Sequence, residues 1–208
     1  MVKTSIVRVA ENVVADPEPL RQTALDGEFH HPKDLVGWRM PPVRVQGIGA
    51  RIERLFGVKI TRWHGPKESG TLFLAFDRGR RREQVGIHSD TPVNSITLVI
   101  YLNHAAPAGT GTSLWRHRKT GLTSLPTLRE ARAAGFRGGR EELDDWIADT
   151  LWAVDADPRK WQEVVRVENV FNRGVMYRGG LFHSATGHFG DSPSNGRIYA
   201  LFQFDIAD

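Results

Sequence analysis

Three side chains that can bind a transition metal have the spacing of a non-haem iron site. His88 and Asp90 lie two residues apart, and His183 follows far along the chain. Two histidine nitrogens and one carboxylate oxygen suit Fe(II), and this set leaves three coordination positions open. Because residues two apart on a β-strand point to the same face, His88 and Asp90 can reach one ion from the end of one strand. The pattern indicates an oxygen-activating metal enzyme.

An arginine follows the second histidine on a segment with the composition of a terminal β-strand. Arg197 begins the run RIYALFQFD, where it could hold an acid cosubstrate beside the metal. His188 is the main alternative to His183 as the third ligand. We prefer His183, because the run LFHS carries it into a strand, whereas His188 lies in a glycine-rich turn.

The segments that must position these residues have the composition of short strands. From residue 58 onward, six runs rich in β-branched and aromatic residues are separated by Gly, Pro and Asn, which favours a β-sandwich or jelly roll. The runs are KITRWH, TLFLAFD, NSITLVIYLN, TSLWRHR, GVMYRG and RIYALFQFD. An additional opening strand is predicted over residues 5–14, and the apolar spacing predicts helices over residues 17–27 and 49–56.

A helical segment interrupts these strands between residues 127 and 161. It contains TLREARAAG and REELDDWIADTLWAV, and the second run repeats large apolar residues on one helical face. These residues are Leu143, Trp146, Ile147 and Leu151. The tryptophans of the segment are expected to be core residues of the insertion, and they are Trp146, Trp152 and Trp161.

We interpret residues 1–208 as a single domain. Its N-terminal strand and helices would occupy residues 1–57, and residues 58–116 and 165–206 would form the core. Residues 117–164 would be a helical insertion, too short to bury a core of its own, that could act as a lid over the site.

Composition excludes some classes of site and partner. Cysteine is absent, so disulfides and thiolate metal ligands are impossible. The first residues are too polar for a signal peptide, and no run approaches the roughly 18 apolar residues of a membrane span, so a cytoplasmic protein without a membrane partner is expected. The net charge of +4 favours anionic partners in general. A nucleic-acid partner is disfavoured, since no stripe of basic residues interleaved with aromatics occurs.

Two stretches resemble a known enzyme superfamily. HSDTPVNSITLVIYLNHAAPAGTGTSLW, and FNRGVMYRGGLFHSATGHFG with NGRIYALFQFD, are similar to the core of the Fe(II)/2-oxoglutarate-dependent oxygenases. The resemblance is to the prolyl-hydroxylase-like branch and its compact bacterial members of uncertain substrate, and it covers roughly residues 70–116 and 165–206. It implies an α+β fold with a double-stranded β-helix (jelly-roll) core, flanking N-terminal helices and a helical insertion.

The same resemblance implies roles for individual residues and the cofactors Fe(II), 2-oxoglutarate and O2. Arg197 would form a bidentate salt bridge with the far carboxylate of 2-oxoglutarate, for which a planar guanidinium is well suited. Tyr101 and Thr97, which share one face of a strand, would line the same pocket. The catalytic metal ligands would be His88, Asp90 and His183. Because halogenating members replace the acidic ligand with a small residue, an aspartate here favours hydroxylation or a related C–H oxidation.

The substrate is less well defined than the metal site. The expected reaction is hydroxylation of a C–H bond of a small molecule or peptide side chain, with release of succinate and CO2. Arg116 and Arg118 are candidates to hold a substrate carboxylate, and the pairs Trp38-Arg39 and Trp63-His64 are further candidates. Two alternatives are a non-catalytic metal-binding jelly-roll sensor or binding module and a nucleic-acid demethylating oxygenase. The oligomeric state stays open.

Overall fold

A computed structural model describes residues 7–31, 38–78, 81–82, 86–152 and 158–207 of the chain. The described part is a mixed α/β structure that is rich in sheet. Its helices are α1 (Glu18–Asp26), α2 (Ile48–Phe56), α3 (Leu128–Ala133) and α4 (Leu143–Ile147). Its strands are β1 (Val7–Ala10), β2 (Trp38–Arg39), β3 (Val43–Arg44), β4 (Ile60–Trp63), β5 (Ser69–Ala75), β6 (Asp77–Arg78), β7 (Arg81–Arg82), β8 (Ile96–Tyr101), β9 (Gly111–His117), β10 (Trp161–Glu168), β11 (Gly174–Arg178), β12 (His183–Thr186) and β13 (Arg197–Ile206).

Two antiparallel sheets dominate the described part. The larger sheet has the order β1-β11-β8-β13-β5-β2, with β3 also paired to β5 and β4 also paired to β13. The smaller sheet has the order β10-β9-β12, and β6 pairs with β7 in a separate two-stranded ladder. The fully buried strand β8 lies in the middle of the larger sheet, between β11 and β13.

The larger sheet is covered on both faces, which explains why all six residues of β8 are buried. On one face, Leu98 and Phe202 pack with Ile52 of α2 in the main core. On the other face, Val99 packs with Leu114 of β9 in the smaller sheet. Because successive strand residues point to opposite faces, one strand supplies both cores. A cavity lies between the two sheets and is lined by residues of both.

The six core strands and the two N-terminal helices predicted from the sequence are confirmed. Helix α2 ends at Gly57, whose φ of 60° is left-handed and whose N–H donates to the Glu53 carbonyl. This geometry favours glycine, since a Cβ atom is strained there. The predicted opening strand is present only over Val7–Ala10, since residues 11–14 are not strand, and residues 5 and 6 lie outside the described residues.

The helical segment is shorter than its sequence pattern predicts. Helix α3 begins with a capping box between Thr127 and Glu130, and α4 continues into a π-helical segment, Ala148–Trp152. Trp161 is a buried core residue, as expected, but the expectation that it lies in this segment is wrong. Trp161 begins β10 and pairs with His117 of β9, so a contact with a strand distant in sequence determines its structure.

The other two tryptophans that were expected to be core residues of the segment are Trp146 and Trp152. Trp146 is partly buried against Phe136, whereas the side chain of Trp152 lies outside what the structure describes. Leu143 and Leu151, from the predicted apolar face, are buried. None of the described helices is long and apolar enough to cross a membrane.

Candidate metal centre

The three predicted ligands converge in the wall of this cavity. His88 Nε2 lies 3.6 Å from Asp90 Oδ1, and His183 Nε2 lies 3.5 Å from Asp90 Oδ2. The ligand atoms of all three residues lie within 4.8 Å of one another. Two donors at right angles around one ion, with bonds of about 2.1 Å, are roughly 3.0 Å apart, and two donors on opposite sides are roughly 4.2 Å apart. The observed spacing therefore suits a single metal ion.

Backbone contacts hold both imidazole rings in the orientation that a metal site requires. His88 and His183 form an isolated β-bridge, in which each backbone N–H donates to the other's carbonyl at 2.9 and 2.8 Å. The Nδ1 atom of His88 lies 2.9 Å from the Gly86 carbonyl, and that of His183 lies 2.8 Å from the Leu181 carbonyl. A carbonyl can only accept, so each Nδ1 carries a proton, and Nε2 is the ring nitrogen left to bind a metal ion.

A loop, rather than a regular strand, brings Asp90 to the site. His88 lies at the bridge, and the Asp90 N–H donates to the Gly179 carbonyl at 2.7 Å. A Cβ atom on Gly179 would lie 3.2 Å from the Asp90 Cβ and 3.1 Å from the Pro92 carbonyl oxygen. The close approach therefore favours glycine at 179. The expectation that His88 and Asp90 share one strand is wrong, although both side chains reach the same point.

The pKa shifts favour the ligand form of two residues near neutral pH. Burial, and then the charge of His183, lower the pKa of His88. Burial alone would raise the pKa of Asp90, but its hydrogen bond and charge interaction with His183, together with the Thr97 hydroxyl, lower it overall. A neutral His88 and an ionised Asp90 are the states that bind a divalent cation.

Arg197 lies in the wall of the same cavity and is almost completely buried, with 1% of its surface exposed. Its Nη1 donates to the carbonyls of Thr186 and Gly187 at 3.3 and 3.5 Å, and its Nε has no hydrogen-bond partner in the described part of the chain. No ion pair joins it to a described carboxylate. Burial of a cation without a counter-charge is costly, so an anionic ligand is favoured at this position.

The cavity has a volume of about 670 Å³ and lies between the two sheets. Tyr177 and Tyr199 also line it, and the Tyr177 ring lies 4.6 Å from that of His183. Burial raises the pKa of Tyr177 well above its ordinary value, so its hydroxyl stays protonated. Neither tyrosine was among the predicted site residues. Strand alternation from Arg197 was a usable signal for Tyr199, since the two are separated by one residue.

Thr97 and Tyr101 lie behind the cavity wall, not on its surface. Thr97 Oγ1 donates to Asp90 Oδ2 at 2.6 Å, so it supports a metal ligand. The Tyr101 hydroxyl is fully buried and donates to Thr112 Oγ1 at 2.8 Å, and Thr112 does line the cavity. The expectation that Thr97 and Tyr101 line the pocket is therefore corrected: both act through a neighbour.

The predicted substrate contacts Arg116 and Arg118 do not line this cavity. Arg116 is exposed, and Arg118 lines a different cavity, where its Nε donates to the Trp161 carbonyl at 2.9 Å. Of the other candidates, Arg39 lines the cavity with the metal ligands, whereas His64 contacts Asp205 on β13 at 2.7 Å. Arg39 is therefore the predicted substrate contact that the structure brings to the site.

His188, the alternative to His183 as the third ligand, is separate from the cluster of candidate ligands. His188 is not among the three residues whose donor atoms converge. Burial lowers its pKa, and the charge of Arg197 lowers it further, so it lies on the Arg197 side of the site. The preference for His183 over His188 therefore agrees with the geometry.

The fold is similar to that of a non-haem 2-oxoglutarate-dependent enzyme. The non-heme alpha ketoglutarate dependent epimerase SnoN from nogalamycin biosynthesis has a TM-score of 0.51 and 14% identity, over 96% of this chain and 78% of that chain. A Pseudomonas putida prolyl-4-hydroxylase has a TM-score of 0.48 and 11% identity, over 97% of this chain and 94% of that chain. EctD from S. alaskensis, solved with bound Fe, also has a TM-score of 0.48 and 11% identity, over 96% of this chain and 72% of that chain.

At this level of identity, the match to SnoN shows a similar fold. The chain belongs to DUF6445, a family of unknown function, whose profile matches residues 2–202. No curated protein matches the chain.

Proposed function

We propose that the protein is an Fe(II)- and 2-oxoglutarate-dependent dioxygenase that hydroxylates a C–H bond of a small molecule or peptide side chain. One observation carries the proposal: a ligand set of two histidines and one aspartate shares a cavity with a buried arginine that has no described counter-charge. The ligand set fits Fe(II), and the arginine fits a dicarboxylate cosubstrate. On this proposal the two sheets are the halves of a double-stranded β-helix core.

On this proposal, each residue of the site would have a separate role in binding the metal or the cosubstrate. His88 and His183 would bind Fe(II) through Nε2, and Asp90 through a carboxylate oxygen. Arg197 would donate two parallel N–H bonds to the far carboxylate of 2-oxoglutarate. When bound, Fe(II) with 2-oxoglutarate and O2 supplies the oxidation: one oxygen atom enters the substrate C–H bond, and the other leaves in succinate with release of CO2.

Neighbouring side chains would orient the metal ligands and exclude water from the reacting centre. Thr97 holds Asp90 through its hydroxyl, which limits the rotation of the carboxylate. The Tyr177 ring lies against His183. Val99 and Leu201 supply an apolar surface in the cavity wall, which favours exclusion of water from the reacting centre. The fold shared with SnoN is compatible with this chemistry but does not specify the reaction.

An anaerobic titration tests the proposal. Fe(II) and 2-oxoglutarate are added to metal-free protein, and the weak visible metal-to-ligand charge-transfer band is recorded. We expect the band in the parent protein and in His104→Ala, the matched control at an exposed histidine paired with Glu18, and no band in His183→Ala. A folded parent protein that binds Fe(II) but gives no band would reject the oxygenase and favour the non-catalytic metal-binding module.

A further inference from the structure

Gln203 lies in the wall of the cavity, beside the candidate metal site. It pairs with Thr97 of β8, and Thr97 pairs with Tyr177 of β11, so these three side chains form a row on one face of three neighbouring strands. The Thr97 hydroxyl donates to Asp90 Oδ2 at 2.6 Å, and the Tyr177 ring lies 4.6 Å from the His183 ring. The row therefore lies beside two of the candidate metal ligands, with Gln203 at the end away from His183.

Gln203 and Arg197 lie far apart on the cavity face of β13. They are separated by an even number of residues and both line the cavity, and a rise of about 3.3 Å per residue places their Cα atoms roughly 20 Å apart. The Arg197 guanidinium lies near Tyr199, with its Cζ atom 5.4 Å from the ring centre. Gln203 lies beyond Tyr199 and Leu201, at the level of Asp90. It is therefore at the metal end of the cavity, and Arg197 is at the other end.

The side-chain amide of Gln203 has no hydrogen-bond partner in the part of the chain that the structure describes. Its backbone carbonyl accepts from the His64 N–H at 2.9 Å, which holds the strand in place without using the side chain. By contrast, the hydroxyls of Thr112 and Ser184 elsewhere in the wall each accept a hydrogen bond from an aromatic side chain. Gln203 thus offers one acceptor oxygen and two N–H donors to a ligand at the metal end.

The cavity has room for a second ligand beside 2-oxoglutarate. Its volume of about 670 Å³ is within the range of sites that bury most of a drug-sized molecule, which is larger than 2-oxoglutarate. The proposed function assigns Asp90 to the metal and Arg197 to the cosubstrate. Gln203 takes no part in either task, so its amide remains for the substrate.

A primary carboxamide is the group that pairs best with the Gln203 amide. Its carbonyl and one of its N–H groups point in the same direction, so it can accept from Nε2 and donate to Oε1 at once. A trans peptide bond points its carbonyl and N–H in opposite directions, so it can make only one of these bonds. A carboxylate only accepts and an ammonium only donates, so either would leave one amide atom unpaired, which is costly in a site closed to water.

We propose that Gln203 binds a primary carboxamide of the substrate through two hydrogen bonds, close to the C–H bond that is oxidised. This inference rests on the proposed function, because it takes Asp90 as a metal ligand and Arg197 as the cosubstrate contact. The carboxamide can belong to a free small molecule or to an asparagine or glutamine side chain of a peptide. In both cases Gln203 selects the substrate.

Anaerobic calorimetry on the Fe(II) protein with saturating 2-oxoglutarate tests the inference without turnover. Butyramide and phenylacetamide represent a free carboxamide, and the N-acetyl methylamides of asparagine and glutamine represent a peptide side chain. Each carboxamide probe is compared with its methyl ester and its N-methyl amide. We expect at least one carboxamide to bind the parent about tenfold or more tightly than both of its derivatives. Tight binding of the free carboxamides indicates a small-molecule substrate, and tight binding of the amino-acid derivatives alone indicates a peptide.

Two substitutions of Gln203 remove the amide. Gln203→Met keeps the length of the side chain, and Gln203→Ala shortens it. Each should abolish the preference for the carboxamide and keep the Kd for 2-oxoglutarate within about twofold. Gln162→Met, which replaces an exposed glutamine on β10 outside the cavity, is the matched control and should behave like the parent.

The outcomes separate this inference from the proposed function. Equal binding of every carboxamide and its derivatives, failure of every probe to bind, or an unchanged preference in the Gln203 variants would each overturn the inference while 2-oxoglutarate still binds. A large loss of 2-oxoglutarate affinity in a folded Gln203 variant would also overturn it, since Gln203 would then belong to the cosubstrate site. Absence of 2-oxoglutarate binding to the Fe(II)-containing parent would overturn both.

Discussion

Replacement of Arg197 by methionine should greatly weaken the binding of 2-oxoglutarate while changing the stability of the protein only slightly. Two charge-assisted hydrogen bonds to the 2-oxoglutarate carboxylate would be lost, each contributing about 1.5–3 kcal/mol. Even the lower end of this range, about 3 kcal/mol in total, weakens binding by more than 100-fold. We therefore expect the Kd for 2-oxoglutarate to rise by at least about two orders of magnitude.

The free energy of unfolding of the ligand-free protein should change much less. Removal of one partner from a buried ion pair ordinarily costs about 3–5 kcal/mol. Arg197, however, has no described carboxylate partner, and its hydrogen bonds to backbone carbonyls are long, at 3.3 and 3.5 Å. Methionine can occupy a similar volume without a buried charge. The expected change in the unfolding free energy is within about 1 kcal/mol.

Two measurements check this pair of expectations. Anaerobic titration of the Fe(II) protein gives the affinity for 2-oxoglutarate, and urea denaturation of the metal-free protein gives the unfolding free energy. Arg173→Met is the matched control. Arg173 lies outside the cavity, where it forms an ion pair with Glu11 at 2.7 Å, so this substitution should leave the affinity for 2-oxoglutarate unchanged. If Arg197→Met lost more than about 3 kcal/mol of stability but kept its affinity, Arg197 would be a structural cation and our reasoning would be refuted.

Three further substitutions test other parts of the site and the sheet. Thr97→Val removes the hydroxyl that orients Asp90, so Fe(II) affinity, measured by competition with a chelator, should fall about 10–100-fold; unchanged affinity would contradict the supporting role. Tyr101→Phe removes a buried hydrogen bond to the smaller sheet and should cost about 1–3 kcal/mol in urea denaturation, and no loss of stability would argue against the bond. Hydrogen bonding to His64, and then to an arginine, lowers the pKa of Asp205 below its ordinary 3.8. The stability that ionised Asp205 contributes is present above that ordinary value and is lost as the pH falls through the lowered one. The stability difference between the parent and Asp205→Asn should therefore shrink as the pH falls below 3.8 and vanish once the carboxyl is protonated in the folded protein, and a difference that does not shrink at low pH would contradict this.

Local sequence patterns predicted most of the secondary structure. The apolar and β-branched run ITLVIY predicted β8, and the helical spacing of Ile52 and Phe56 predicted α2, because these patterns reflect which face of an element is buried. The sequence pattern placed Trp161 in the helical segment, whereas it begins strand β10. Its strand is specified by pairing with β9, some 45 residues earlier in the chain, and such a partner leaves no local signal.

For the candidate site, likewise, the sequence identified the residue types but not how the chain positions each of them. The residue types His88, Asp90 and His183 were identifiable, since few side chains bind Fe(II) and their spacing is restricted. How Asp90 reaches the candidate metal site was not identifiable, because a loop held by the Gly179 carbonyl replaces the expected strand. The sequence also placed Tyr101 in the pocket, whereas the structure turns its hydroxyl to the smaller sheet.

By itself, the sequence determined which chemistry is available: a metal-binding set, an arginine for an acid, and strands to carry them. The tertiary structure alone decided which other residues share the cavity, with Arg39 and Tyr199 inside it and Arg116 and Arg118 outside. Strand alternation states which residues share a face. It does not state which face encloses the cavity or where along the strand the cavity ends. Those depend on pairing between strands distant in sequence, such as β2 with β5.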